Sequence, residues 1–221
     1  TGLPVSGAII DVFDAATGSQ VDVGFSTNAS GVYTAQRRLL PGAYKVRARG
    51  TGFGMVFSSG KRSLGTADVV TVSAGADEVI NFSLGLGGGV TGRVTDAATG
   101  SGVGGAVIDI VDAAANDPTI NNFGLASTTT SSDGTYNTGR VLQPGAYKVK
   151  VRFFNGGYIE TFHTSGVDFT TATTVTVTAG ADTPSINVAL PLGGTITGTI
   201  RDRASGLPIA GANVIARRVA S

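Results

Sequence analysis

The chain has no cysteine and no tryptophan, and a single histidine and a single methionine, among its 221 residues. Without cysteine there can be no disulfide and no thiolate metal ligand. Cohesion must come from apolar burial and backbone hydrogen bonds. One histidine, His163, cannot build a histidine metal cluster or fill two catalytic roles. Charged residues make up only 14% of the chain and nearly cancel, at net +1. That leaves no field to hold nucleic acid or an anionic membrane. No apolar run approaches the length of a membrane-spanning helix, and no segment keeps a helical period over a useful length.

What the chain does have is glycine, 34 residues of it, with 41% hydrophobic residues. That mix suits short strands joined by tight turns, with enough apolar material for real cores, and does not suit disorder.

The chain also has internal repetition, which must be found before any other reading of the fold. Pro-Gly-Ala-Tyr-Lys-Val stands at Pro41–Val46 and again, unchanged, at Pro144–Val149. Further landmarks fall into register around it. Thr1-Gly2 matches Thr99-Gly100, Gly31-x-Tyr33 matches Gly134-x-Tyr136, and Ala74–Asp77 matches Ala179–Asp182. The spacing between copies grows slowly, from 98 to 106 residues along the chain. The second copy therefore carries small loop insertions, one of them around Ala114–Asn122. A third copy then begins: Gly194–Gly198 and Asp202 echo Gly88–Gly92 and Asp96, and Ser205–Ala212 echoes Thr1–Ala8. The expected organisation is a first repeat over 1–86 lacking its first strand, a complete repeat over 87–192, and the first two strands of a third over 193–221.

Within a copy the pattern alternates apolar and polar, as half-buried strands do. In the second copy strands are expected at Val90–Thr95, Ala106–Val111, Leu125–Ser131, Tyr136 to about Val141, and Ala146–Phe153. A closing hairpin runs from Val175 and Val177 to Ile186, Val188 and Leu190. Asp96–Gly100 and Asp133-Gly134 are turn signals. About seven short strands per copy make an all-β chain of tandem antiparallel Greek-key sandwiches.

The order Gly-Gly-x-x-x-Gly-x-x-x-Asp-x-x-x-Gly, Gly-Ala-x-Val/Ile, Asp/Ser-Gly-x-Tyr, Pro-Gly-x-Tyr-x-Val and Leu-x-Leu-Gly-Gly resembles the carboxypeptidase regulatory-like domain. That family is related to the Cna B-type repeats of bacterial surface proteins. The resemblance implies a prealbumin-like (transthyretin-like) sandwich used as an ancillary module, an adhesin stalk or a surface-fibre repeat. Some Cna B-type relatives carry a Lys–Asn isopeptide bond between first and last strands. Here the first-strand position holds Arg93 and Thr199, while Asn81 and Asn187 face outward, so no such cross-link is expected.

No set of residues in the chain suggests an enzyme. His163 with Glu160 lacks a nucleophile. Asp109, Asp112, Asn116 and Asp117, with Asp11 and Asp14 in the first copy, form the densest oxygen clusters. Loop chemistry explains them more simply than calcium, which needs six to eight converging oxygens. The basic stripes Lys45/Arg47/Arg49 and Lys148/Lys150/Arg152 read as a solvated outer face rather than an acidic-ligand site. Gly85–Gly92 lacks the following helix of a phosphate loop and recurs as a join at Gly193–Gly198. No cofactor or metal is implied. Asn28 and Asn81 fit the N-glycosylation pattern, and Thr128–Thr130 and Thr170–Thr174 are the candidate O-glycan stretches.

The first copy opens past the place of its first strand, and the last residues begin a repeat. Either neighbouring repeats of a longer array supply what is missing, or Thr195, Ile196, Thr197, Gly198, Thr199 and Ile200 add as a strand to the next subunit. Residues 205–221 repeat what 1–18 supply, so a one-strand exchange does not account for the whole tail. The expected role is a structural repeat of an extracellular, cell-surface filament, stalk or fibre. Its partners would be copies of itself and glycans on its surface, with no nucleic acid and no membrane span. The alternative is an adhesin stalk or carbohydrate-binding accessory module, which needs an exposed aromatic cluster; Phe153, Phe154, Tyr158 and Phe162 are the candidates.

Overall fold

The computed structural model describes residues 2–34, 39–114, 125–154, 156–164 and 166–216. Asn116 and Asp117, the insertion beyond Ala114 and the chain's last residues lie outside them. The protein is all-β. In the first part β1 (Ile9–Asp14), β2 (Gln20–Ser26), β3 (Gly42–Gly50), β4 (Phe53–Phe57) and β5 (Val70–Val72) form one sheet. β1 pairs with β2 and β3, and β3 with β4 and β5, all antiparallel. Ile10, Val12, Phe25, Tyr44, Val46, Ala48 and Val56 supply its core.

In the second part β6 (Gly89–Asp96), β7 (Val107–Asp112), β8 (Ala126–Thr129), β9 (Thr135–Asn137), β10 (Gly145–Arg152), β11 (Thr161–Phe162), β12 (Val175–Val177), β13 (Asp182–Thr183) and β14 (Val188–Leu190) divide between two sheets. One runs β11-β10-β7-β8 with β12 on β10, and the other gathers β9, β13 and β14 around β6. Their facing side chains, among them Val90, Val94, Ile108, Tyr147, Val149 and Leu190, close a single core.

Three expectations are corrected. The fourth strand of the second copy stops at Asn137, because Gly139 turns the chain with positive φ. The closing hairpin does not form: β12 joins β10, while β14 lies parallel to β6 in the opposite sheet. In the first copy Ile80–Leu84, the counterpart of β14, is not a strand.

The two parts are joined by backbone as well as by chain continuity. Met55 N–H donates to the Val141 carbonyl at 2.8 Å, and Gly87 N–H to the Gly52 carbonyl at 3.0 Å. A Cβ on Gly54 would lie 2.8 Å from Gln143 Cα, so only glycine allows this approach. Arg62 crosses the join to Asp112 at 3.4 Å and lies 5.7 Å from the Tyr147 ring.

Candidate functional site

The site is the seat of the first strand. In the second sandwich β6 fills it. β9 pairs along one edge of β6 (Thr91 with Asn137, Arg93 with Thr135), and β14 lies parallel along the other (Val94 with Val188, Asp96 with Leu190). Ile186 N–H donates to the Thr91 carbonyl at 3.0 Å, and Ala97 N–H to the Leu190 carbonyl at 3.0 Å. Val90 and Val94 point into the core and are fully buried. Gly92 between them is required, since a Cβ there would meet the Ile186 carbonyl oxygen at 2.1 Å. The Tyr136 hydroxyl donates to that same carbonyl at 2.6 Å.

In the first copy the segments that match the two borders, 32–34 and 80–84, are not strands, and no described strand pairs with either. Tyr33, the counterpart of Tyr136, donates to the Ile80 carbonyl at 2.6 Å and packs on Phe82 with ring centroids 6.4 Å apart. Ile80, Phe82 and Leu84 lean on the core but stay half-buried. Among the described residues, Asp77–Leu84 make no backbone-to-backbone hydrogen bond. Amides without backbone partners beside an apolar core leave an edge to which a strand can add.

The segment that matches this seat lies at the other end. Ile196, Gly198 and Ile200 stand where Val90, Gly92 and Val94 stand in the second copy. Ile196 is 88% exposed, and among the described residues Thr195–Thr199 make no backbone-to-backbone hydrogen bond. The turn after it is nonetheless already built as in the second copy. The Asp202 carboxylate accepts from Ser205 N–H at 2.6 Å and Ala204 N–H at 3.0 Å, as Asp96 accepts from Thr99 and Ala98. These bonds hold the Asp202 carboxyl below its ordinary pKa, the Ser205 hydroxyl first among them. Ile209 N–H donates to the Ile200 carbonyl at 2.9 Å, as Val103 does to Val94 at 3.0 Å. The segment leads into this turn without being a strand itself, and its apolar side chains Ile196 and Ile200 are uncovered. Burying Ile196 and Ile200 would contribute about 1.5–3 kcal/mol each.

The other candidates are occupied with structure. The basic stripes are not simply solvated. Asp11, with 0% of its side chain exposed, receives Arg47 Nη2 and Arg49 Nε, each at 2.8 Å. Burial pushes the Asp11 carboxyl up, but the hydrogen bonds and charges of Arg49 and Arg47 outweigh it and leave the carboxyl below its ordinary value. Asp109 pairs with Arg152 in the same way, and Lys150 pairs with Glu160. Lys148 is buried with its ammonium on the Phe169 carbonyl, and Lys45 Nζ donates to the Leu64 carbonyl at 2.7 Å. Sequence reading missed these pairs. The signal was available: Asp11 and Asp109 stand at matching places in the two copies, each across the sheet from Arg or Lys.

Among the described residues, no three metal-binding side chains converge. His163 Nδ1 lies 2.9 Å from the Asn187 carbonyl, and Asn187 Oδ1 accepts from Arg93 N–H at 2.8 Å. The aromatic candidates do not form a surface platform. Phe162 is buried, Phe153 and Tyr158 meet edge to face at 5.6 Å, and the Tyr158 hydroxyl donates to Asp96; only Phe154 is exposed. Asn28 is exposed, its Oδ1 accepting from Ser30 and Val32 N–H, and Asn81 is exposed.

No protein-family model and no curated protein matches the chain. Among solved structures it is similar to a candidate carbohydrate-binding protein from Bacteroides uniformis, at 16% identity over 47% of this chain and 40% of that one, TM-score 0.30. It is similar to the E269A/D295N double mutant of shaft pilin SpaA from Lactobacillus rhamnosus GG, at 10% identity over 87% and 90% of the two chains, TM-score 0.35. It is also similar to the group B streptococcus pilus 2b backbone protein, at 15% identity over 85% and 79%, TM-score 0.31. Likeness at these scores carries no functional argument.

Proposed function

We propose that this chain is a structural repeat unit of an extracellular filament, stalk or surface fibre, assembled head to tail. The observation that carries this is the pairing of a vacant seat with a matching free strand. Tyr33 and Ile80–Leu84 border the seat, and Thr195, Ile196, Thr197, Gly198, Thr199 and Ile200 present the pattern that fills the equivalent seat in the second sandwich. The chain divides into a first repeat over 1–86, a second over 87–192 and the start of a third over 193–221. The third completes the first sandwich of the next copy by strand addition. A head-to-tail contact of this kind does not close on itself and propagates a fibre.

The role is mechanical, not catalytic. Ladders and cores carry the load, backbone hydrogen bonds stiffen the join at Met55 and Val141, and exposed Asn28 and Asn81 are the positions for glycans. A carbohydrate-binding reading is disfavoured by the internal use of Phe153, Tyr158 and Phe162. The test is a chain ending at Gly194, examined by electron microscopy beside the 221-residue chain. The full chain should form end-to-end assemblies and the shortened one should not. Equal assembly by both would refute strand addition.

A further inference from the structure

Resting on that head-to-tail reading, we infer that two copies meet through a second surface besides the added strand: an apolar patch of Ile159, Val167 and Leu192 that docks on Leu40 and Gly75 of the next copy. The join between the first and second sandwiches supplies the template. There Gly87 N–H donates to the Gly52 carbonyl and Gly54 N–H to the Gly85 carbonyl, each at 3.0 Å. The second sandwich repeats this motif at its far end, with Gly193 N–H on the Gly157 carbonyl at 2.7 Å and Ile159 N–H on the Pro191 carbonyl at 2.9 Å. The bridge between Phe53 and Leu86 recurs as the bridge between Tyr158 and Leu192. The platform that receives the second sandwich's Val141–Gln143 loop is thus built twice, and its second version receives nothing among the described residues.

The register between the copies says what the second version takes. Gln143 corresponds to Leu40, Gly180 to Gly75, and Asp112 to Asp14. In the template Gly54 faces the Gln143 backbone, Leu86 Cδ1 stands 3.6 Å from where a Cβ on Gly180 would be, and Arg62 pairs with Asp112. At the far end the corresponding contacts become Ile159 with Leu40, Leu192 with Gly75, and Val167 near Asp14. Every change on the platform keeps or gains apolar character, and on the facing side Gln143 becomes Leu40 while Gly75 and Asp14 are unchanged. Ile159 is 40%, Leu192 59% and Leu40 79% exposed. Gly75 has an open face with nothing within 4 Å. Asp14 needs no cation, because Ala16 and Thr17 already donate to it. Exposed apolar side chains at matched positions on opposite ends fit a second copy of this chain.

Ile159 also fixes the character of the joint. A side chain at the Gly54 position cannot enter the tight approach of the template, so the joint between copies is wider and filled by side chains. Beyond the platform the chain continues through Gly193-Gly194 into Thr195–Ile200, as Gly87-Gly88 continues into β6. The strand that fills the next seat therefore leads that copy's Leu40 towards Ile159.

The cysteine-free background allows a direct test. Full-length chains carrying only Ile159→Cys and only Leu40→Cys are mixed and oxidised. A disulfide-linked heterodimer is expected, and a mixture of Ile159→Cys with Val21→Cys, whose exposed side chain lies on β2 outside both the seat and the patch, should give at least tenfold less. In parallel, Ile159→Glu or Leu40→Lys alone should weaken concentration-dependent association by about tenfold or more, and mixing the two should recover part of it. If truncation at Gly194 abolishes association while Ile159→Glu and Leu40→Lys leave it unchanged and no selective cross-link forms, this surface is refuted and the strand reading stands. If the 221-residue chain stays monomeric at all concentrations, both are refuted.

Discussion

The Tyr136 hydroxyl donates a buried hydrogen bond of 2.6 Å to the Ile186 carbonyl, tying β9 to the approach of β14 across β6. Tyr33 and Ile80 make the same bond at the same length, with no strand between their segments among the described residues.

Removing the hydroxyl therefore has different consequences in the two copies. Tyr136→Phe should destabilise the second sandwich by about 1–2 kcal/mol, since it leaves a buried carbonyl without its donor. Urea unfolding of the full chain should show the shift. Tyr33→Phe should cost less than about 1 kcal/mol in the separate chain, where that carbonyl stays near water, and should appear mainly as weaker capture of an added strand.

Asp11 makes stability depend on acid. Its folded-state pKa is depressed, so it binds protons less readily folded than unfolded. Its contribution is fully present above the unfolded carboxylate value of about 3.9 and is lost as pH falls through the lower folded value. Asp11→Asn should flatten the acid limb of the first sandwich's unfolding profile below about pH 4. At neutral pH it should cost about 2–3 kcal/mol, less than for a fully buried pair because Arg47 and Arg49 remain partly in water.

The join should be sensitive to a single methyl group. On Gly87 a Cβ would meet the Arg140 carbonyl oxygen at 2.2 Å, and on Gly54 it would meet the Gln143 backbone at 2.8 Å. Gly87→Ala should leave both cores folded but force the sandwiches apart, at a cost of about 1–3 kcal/mol of packing. Residual dipolar couplings that report one rigid orientation in the wild type should report independent motion in the variant.

The free strand should tolerate polarity only on one side. Ile200→Asp, at a position whose counterpart Val94 is fully buried, should reduce association of the full chain by about tenfold or more. Thr199→Asp, at the counterpart of exposed Arg93, should leave it nearly unchanged. Sedimentation of the two variants side by side checks the alternation.

Much of this was legible beforehand. Glycine, the repeated Pro-Gly-Ala-Tyr-Lys-Val and period-two alternation are local signals, and they led to an all-β chain with β6, β7 and β10 within a residue or two of their observed ends. What was not legible depends on partners far along the chain. Ile80–Leu84 carries the same alternation as Val188–Leu190, yet remains without a ladder because a strand needs a neighbour as well as a pattern. The hairpin expected at Val175–Leu190 failed for a related reason, as sequence proximity does not decide which sheet a strand joins. Asp11 and Asp109 looked like loop oxygens until the register set them opposite Arg47 and Lys150. Tyr158 and Phe162 looked like a binding cluster until the core and Asp96 claimed them.

Hydrogen exchange at the backbone amides of Ile80–Leu84, followed as the concentration of the full chain rises, reads strand addition itself. Strand addition requires fast exchange in dilute monomer, strong protection on association, and the same protection when a peptide of residues 193–203 is added to a chain ending at Gly194. Protection already complete in the monomer, or exchange unchanged by concentration and by the peptide, would contradict it.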